Sequence, residues 1–266
     1  MTKRIISALV ILMIVIPLLI VGGNLFNFGV YIVALFALRE FIKIKEEKKM
    51  IPSFIKFLSY IIITFLILTN YQLKDLTFSI DYRVLAGLFI SFLLPTVLYH
   101  NREKYSINDA FYLIGGILFL GISMSLLILI RSKSLALLIY LILTAVITDT
   151  YAYIVGSLIG KHKLLEVVSP KKSWEGMLGG TLFAVIFGTV FYHLFISETM
   201  PIYAIVFITM FLSVLGQFGD LVFSAIKRYF GKKDFSNLIA GHGGILDRLD
   251  SLIFVLLGFM FFMIFI

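Results

Sequence analysis

The chain has no cysteine and little charge: Asp, Glu, Lys and Arg make up only 14% of its 266 residues. The missing thiols exclude a disulfide scaffold, thiolate metal sites and a cysteine nucleophile. The missing charge excludes a water-soluble globule, since a soluble domain usually runs about a quarter charged. Intrinsic disorder is excluded as well, because 61% of the residues are hydrophobic and 27 are Phe, far too apolar a composition to stay unfolded in water. No internal repeat, low-complexity tract or separate soluble domain is visible. An integral membrane protein remains.

Acidic residues are scarcer than basic ones, 15 against 23, for a formal charge of +8. On a soluble protein that balance would suggest nucleic acid. Here the Lys/Arg excess of cytoplasmic loops explains it, so no nucleic-acid partner is expected. Anionic membrane lipid or a phosphorylated substrate suits the charge.

Nine apolar runs are present, near 5–22, 25–42, 54–70, 84–99, 107–130, 135–156, 176–195, 202–222 and 249–266. Each approaches the roughly 20 residues a helix needs to cross a bilayer core, and none alternates as a barrel strand does. The expectation is an all-α, polytopic integral membrane protein with about nine transmembrane helices. The first run lacks a small-x-small cleavage site and is read as a span, not as a signal peptide. With the N-terminus cytoplasmic, only Lys74, Arg83, Arg131 and Lys133 fall on the far side, leaving nineteen of the 23 basic residues inside. That bias predicts an N-in, C-out topology. Residues 1–130 are read as the N-terminal transmembrane helices. Residues 131–266 are read as C-terminal helices carrying two cytoplasmic loops, 157–175 and 223–248, which hold most of the chemistry.

The second loop and its flanks, 216–251, gather Asp220, Lys227, Arg228, Lys232, Lys233, Asp234, His242, Asp247, Arg248 and Asp250. Ionisable residues beside hydrocarbon are costly and point to function. Asp220, Ser224 and Lys227 stand at i, i+4 and i+7, one face of a helix leaving the eighth span. Asp247 and Asp250 stand at i, i+3 and share a face at the start of the ninth. Adjacent carboxylates repel unless a cation or proton lies between them, and oxygen donors suit a hard ion such as Mg²⁺. Gly241, Gly243 and Gly244 let backbone approach a phosphate at a helix N-terminus. The plainer alternative is an interfacial salt-bridge cluster with glycines that only turn the chain.

In the first loop, Ser169-Pro170-Lys171-Lys172-Ser173-Trp174-Glu175-Gly176 reads as a loop end with Ser173 capping a helix that starts near Trp174. Lys171 and Lys172 then sit where a triphosphate could bind, or are simply a positive-inside pair beside an interfacial Trp. Asp149, between Thr148 and Thr150 inside the sixth run, needs a basic residue, a metal, a water-filled cleft or a proton. His100, His162 and His193 share no ligand spacing. Gly87, Gly115, Gly116, Gly179 and Gly180 read as helix-packing contacts.

The pattern Ser224-x-x-Lys227-Arg228-x4-Lys233-Asp234, then His242-Gly243-Gly244-x-x-Asp247-Arg248-x-Asp250, resembles the signature of phosphatidate cytidylyltransferases, the CDP-diacylglycerol synthases. The run from Ser169 to Gly176 is similar to a second motif of that family. Two positions depart: Phe223 stands where an acidic residue is expected, leaving Asp220 fewer carboxylate neighbours, and Ala240 replaces a Pro. The resemblance implies that CTP and phosphatidate give CDP-diacylglycerol and pyrophosphate, in a bacterial inner membrane with the site facing the cytoplasm. It implies Mg²⁺ on Asp247 and Asp250 with Asp220 nearby, a second cation being left open. Lys227, Arg228 and Arg248 would clamp phosphates and His242 would donate to one. Lys171, Lys172, Ser173, Ser224, Lys233, Gly243, Gly244 and Asp149 would line the substrate sites, and a homodimer is compatible with this reading. Alternatives are a relative acting on an ether lipid or a polyprenol, and an ion-coupled transporter using Asp149 and Asp220. The Asp-Gly-x-x-Ala-Arg pattern of the CDP-alcohol phosphotransferases is absent.

Overall fold

The computed structural model describes residues 2–69, 82–99, 104–239, 241 and 243–265. The apolar runs become helices: α1 Thr2–Val21, α2 Gly23–Glu46, α3 Ser53–Thr69, α4 Tyr82–Leu98, α5 Ile107–Lys133, α6 Leu135–Ile159, α7 Trp174–Phe195, α8 Ile202–Tyr229 and α9 Leu246–Phe259. A helix satisfies its backbone N–H and C=O groups within one segment, so long apolar sequence without alternation adopts it. Five of them, α2, α5, α6, α7 and α8, are long and apolar enough to cross a membrane. By contrast α3 and α4 have 17 residues each and α9 has 14, short of the roughly 20 of a full span. A 3₁₀ turn, Met260–Phe265, continues α9. Lys74, His100, Arg102 and His242 lie outside the described residues.

The all-helical expectation needs one amendment. Strands β1 Lys163–Leu165 and β2 Ser169–Ser173 pair antiparallel, with Lys163 opposite Ser173. This loop is polar and holds Pro170, which cannot continue a helix. Its ends are tied by His162 Nδ1 on Glu175 Oε1 at 2.6 Å and by Trp174 N donating to His162 O at 3.0 Å.

The chain forms two compact units. The first is Met1–Lys133 with Asp234–Leu246. Here α5 is mostly buried, as its largely apolar sequence requires, and α2, α3 and α4 pack around it. Phe41 lies over Gly116, where any Cβ would collide with its ring, and stacks on Tyr112 at 4.5 Å. At the end of α5, Arg131 donates to Leu19 O at 2.7 Å and Ile20 O at 3.0 Å, satisfying carbonyls at the end of α1. At its start, buried Asp109 accepts from Ser106 N at 2.9 Å, a capping-box contact. The same carboxylate pairs with Lys45 at 2.7 Å and Lys49 at 2.5 Å.

The second unit is Ser134–Lys233 with Asp247–Ile266. Its helices α6 and α7 touch backbone to backbone. A Cβ on Gly176 would stand 2.6 Å from Ala152 O, and one on Gly180 would stand 2.5 Å from Thr148 O. Small residues four apart allow this approach, so Gly180 is the packing contact expected of it. Hydroxyls then tie α6, α7 and α8 together. Tyr140 bonds Thr209 at 2.7 Å, Thr148 bonds Ser213 at 2.8 Å, and Gln217 Nε2 donates to Thr181 at 3.0 Å and Met177 O at 3.3 Å.

Asp109→Ala strands two ammonium groups and the Ser106 amide. It should lower stability by about 2–3 kcal/mol, seen as a lower thermal midpoint of the purified protein in detergent. An unchanged midpoint would show that the cluster carries no stability.

Candidate functional site

In the second unit, the C-terminal half of α8 presents Asp220, Ser224 and Lys227 on one face, as the spacing predicts. Ser224 Oγ donates to Asp220 Oδ1 at 3.3 Å. Strand β2 brings Lys172 to the same carboxylate: its Nζ lies 2.7 Å from Asp220 Oδ2 and donates to Gln217 O at 3.3 Å. The Ser169–Gly176 motif and the helix leading into the Ser224–Asp250 pattern, some fifty positions apart in the chain, therefore meet at Lys172 and Asp220. Neighbouring strand residues point to opposite sides, which is why Lys172 reaches α8 while Lys171 stays exposed. Ser173 is buried as the N-cap of α7 and accepts from Gly176 N at 3.1 Å, the capping role its sequence context predicts.

Helix α9 supplies the other two acids. Asp247 Oδ1 lies 2.7 Å from Lys227 Nζ, and both side chains are nearly buried, at 5% and 10% exposure. Removing one partner of such a pair leaves an uncompensated charge and costs about 3–5 kcal/mol. Asp250, one turn further on, feels Asp220, Asp149 and the same Lys227. Asp149 is accessible on α6 and feels Asp220 and Lys172. Asp247 and Asp250 stand at i, i+3 on α9, and Lys227 of α8 acts on both, as an ion pair with Asp247 and at longer range on Asp250.

Lys171, Arg228, Lys233 and Arg248 are exposed, and Arg228 Nη1 donates to Lys232 O at 3.0 Å. Phe223, at the position where an acid is expected, is fully buried and meets Phe254 edge-on at 6.4 Å. It packs α8 against α9. The donors Asp149, Asp220 and Asp250 are all oxygen, the chemistry of a hard divalent cation. The buried Ser251 hydroxyl lies beside Asp149 and acts on that carboxylate as a hydrogen-bond donor. Among the described residues, no three His, Asp or Glu side chains stand in ligating positions about one point. In this structure the positive neighbours of Asp220 and Asp247 are lysines.

In the first unit, the segment 234–246 closes with a tight turn. Gly241 and Gly243 have φ of 77° and 84°, left-handed conformations that favour glycine, and Ile239 N donates to Gly243 O at 2.8 Å. Gly244 has a different reason to be glycine: a Cβ there would stand 2.6 Å from a carboxylate oxygen of Glu40. Sequence reasoning passed over Glu40, as it did Gln217. A lone acid beside Arg39 carries no motif, and only its burial marks it.

A profile of the cytidylyltransferase family matches residues 2–266. The chain belongs to that family. It is 37% identical over 257 residues to the phosphatidate cytidylyltransferase of Staphylococcus haemolyticus, covering 96% of both chains. It is 36% identical over 258 residues to that of Staphylococcus epidermidis and 35% over 257 residues to that of Staphylococcus aureus, each again covering 96% of both chains. Of the charged cluster in the second unit, Lys227, Asp247 and Asp250 belong to the pattern read in the sequence from Ser224 to Asp250.

A double-mutant cycle on this cytidylyltransferase, combining Lys172→Met with Asp220→Asn, should give a coupling of about 0.5–1.5 kcal/mol in thermal stability, since both groups are partly exposed. Strict additivity would mean that the two loops meet without being held together.

Proposed function

We propose that the protein is a phosphatidate cytidylyltransferase, making CDP-diacylglycerol and pyrophosphate from phosphatidate and CTP. The observation that carries this reading is the ion pair of Lys172 with Asp220, which ties the Ser169–Gly176 motif to the helix that carries Ser224 and Lys227, with the Lys227–Asp247 pair further along α8. In the reaction a phosphate oxygen of phosphatidate forms a bond to the α-phosphorus of CTP. The bond from that phosphorus to the bridging oxygen breaks, and its electrons leave with pyrophosphate. The nucleophile is already ionised, so no general base is required. The protein's task is to bring two polyanions together and offset their repulsion.

Lys172 and Lys227, already oriented by their carboxylates, would take phosphate oxygens. Arg228 and Arg248 add planar donors suited to bidentate contact, and the exposed Lys171 and Lys233 add attraction. Asp220 and Asp250, with Asp149 facing them, would hold Mg²⁺, and Asp247 would join only by releasing Lys227. The bound ion would neutralise charge on the phosphates and the leaving group. The proposal puts the site on the cytoplasmic side of a bacterial inner membrane, where soluble CTP meets a lipid that stays in the bilayer. The concentration of Lys and Arg in the loops that carry the site supports that orientation.

The test is turnover of CTP by the purified protein in detergent with phosphatidate, with and without Mg²⁺, compared against an ether-linked analogue and polyprenol. Product should form with phosphatidate and require the ion. Asp250→Asn should lower the rate on the order of 100-fold while the thermal midpoint holds. Full activity in Asp250→Asn would remove that carboxylate from the mechanism, and turnover with polyprenol alone would overturn the substrate assignment.

A further inference from the structure

Glu40 belongs to no motif, yet it is 4% exposed, near the end of the apolar helix α2. A carboxylate so placed is expensive unless every lone pair is met. Three donors meet it, all from a segment some two hundred positions later. Ser236 Oγ donates to Oε1 at 2.5 Å, Ile245 N to Oε1 at 2.9 Å and Leu246 N to Oε2 at 2.9 Å. Leu246 opens α9. The first N–H groups of a helix have no partners inside it, and a Ser, Thr, Asp or Asn just before the helix usually supplies one. Here the preceding residues are Gly243, Gly244 and Ile245, and none has a side-chain acceptor. Glu40 supplies the missing cap from α2, with its negative charge at the positive end of the helix dipole.

Gly244 belongs to the same arrangement. The space its Cβ would take is filled by the Glu40 carboxylate, so this glycine of the signature admits the cap. The residue after Leu246 is Asp247, and Asp250 follows within the next turn. Fraying of the first turn of α9 would release Asp247 before any other site residue.

We propose that Glu40 is a positioning residue. It fastens the turn that ends at Gly244 and the start of α9, and thereby sets the orientation of Asp247 and Asp250 for catalysis. The proposal rests on the cytidylyltransferase reading, which supplies the activity used in one arm of its test.

The experiment compares full-length wild type, Glu40→Gln and Glu40→Ala in detergent, by amide hydrogen exchange at Ile245 and Leu246 and by steady-state kinetics with CTP and phosphatidate. Glu40→Ala should expose both amides to exchange and lower kcat by about 10- to 100-fold with KM for both substrates unchanged. Glu40→Gln keeps Oε1, so Ile245 should stay protected while Leu246 loses protection, and kcat should fall less. Wild-type kcat in Glu40→Ala would overturn the proposal, as would a fall in kcat with both amides still protected. Should Glu40→Ala fail to fold, Glu40→Gln decides: Leu246 protected at the wild-type level would refute the cap. A wild type without CTP turnover would sink the cytidylyltransferase reading instead, and the exchange pattern would still decide whether Glu40 holds α9.

Discussion

A carboxylate inside an apolar helical protein cannot stand alone. Moving an ion out of water costs several kcal/mol even after relaxation, and this chain has few charges with which to offset it. Four carboxylates meet that demand in specific ways. Asp109 takes Lys45, Lys49 and Ser106; Asp220 takes Lys172; Asp247 takes Lys227; Glu40 takes two amides and a hydroxyl. Each solution fixes geometry as well as energy. Lys172 can reach Asp220 only if β2 lies against α8, and Lys227 can reach Asp247 only if α8 and the first turn of α9 run side by side.

The packing of the second unit makes those reaches possible. Bulky apolar residues would hold α6 and α7 about 8–10 Å apart, whereas Gly176 and Gly180 bring their backbones into contact. That approach draws in the end of α6, which carries Asp149, and the hydroxyl and amide bonds of Thr148, Ser213, Thr181 and Gln217 then pin α8 to both. Interhelical hydrogen bonds of this kind are individually modest, on the order of 0.6 kcal/mol each. Their effect here is register: Gln217 and Asp220 lie one turn apart on α8, so fixing the first places the second. Phe223 completes the arrangement by packing on Phe254. A charged residue at that position would need a partner of its own, so its replacement by Phe trades a possible ligand for a tighter α8–α9 contact.

What was legible in the sequence follows from the range of each interaction. The helices could be read because run length and lack of alternation are local properties. So could the Asp220, Ser224 and Lys227 face, which depends only on helical pitch, and the Ser173 cap, which acts three residues ahead. Partner choice was not legible. Nothing near Asp247 in the sequence announces that its partner is the nearly buried ammonium of Lys227 on α8. Glu40 is the extreme case, since its meaning lies in amides about two hundred residues away. The short strands escaped for the opposite reason: three residues are too few to show a period of two.

The basic residues of the site divide by how they are held, and the division bears on function. Lys172 and Lys227 are fixed by carboxylates before any substrate arrives, so their side-chain entropy is already spent. A long flexible side chain immobilised only on binding costs about 0.5–1.5 kcal/mol, and these two avoid that cost at the step where phosphate must be positioned. Lys171, Lys233, Arg228 and Arg248 are exposed and, on the proposed reading, would supply attraction at longer range. A site that must collect a soluble triphosphate and then align it with a lipid phosphate needs both kinds. On the proposed reading, loss of an exposed base weakens capture, and loss of Lys172 or Lys227 also strands the carboxylate that held it, so binding and stability fall together at those two positions alone.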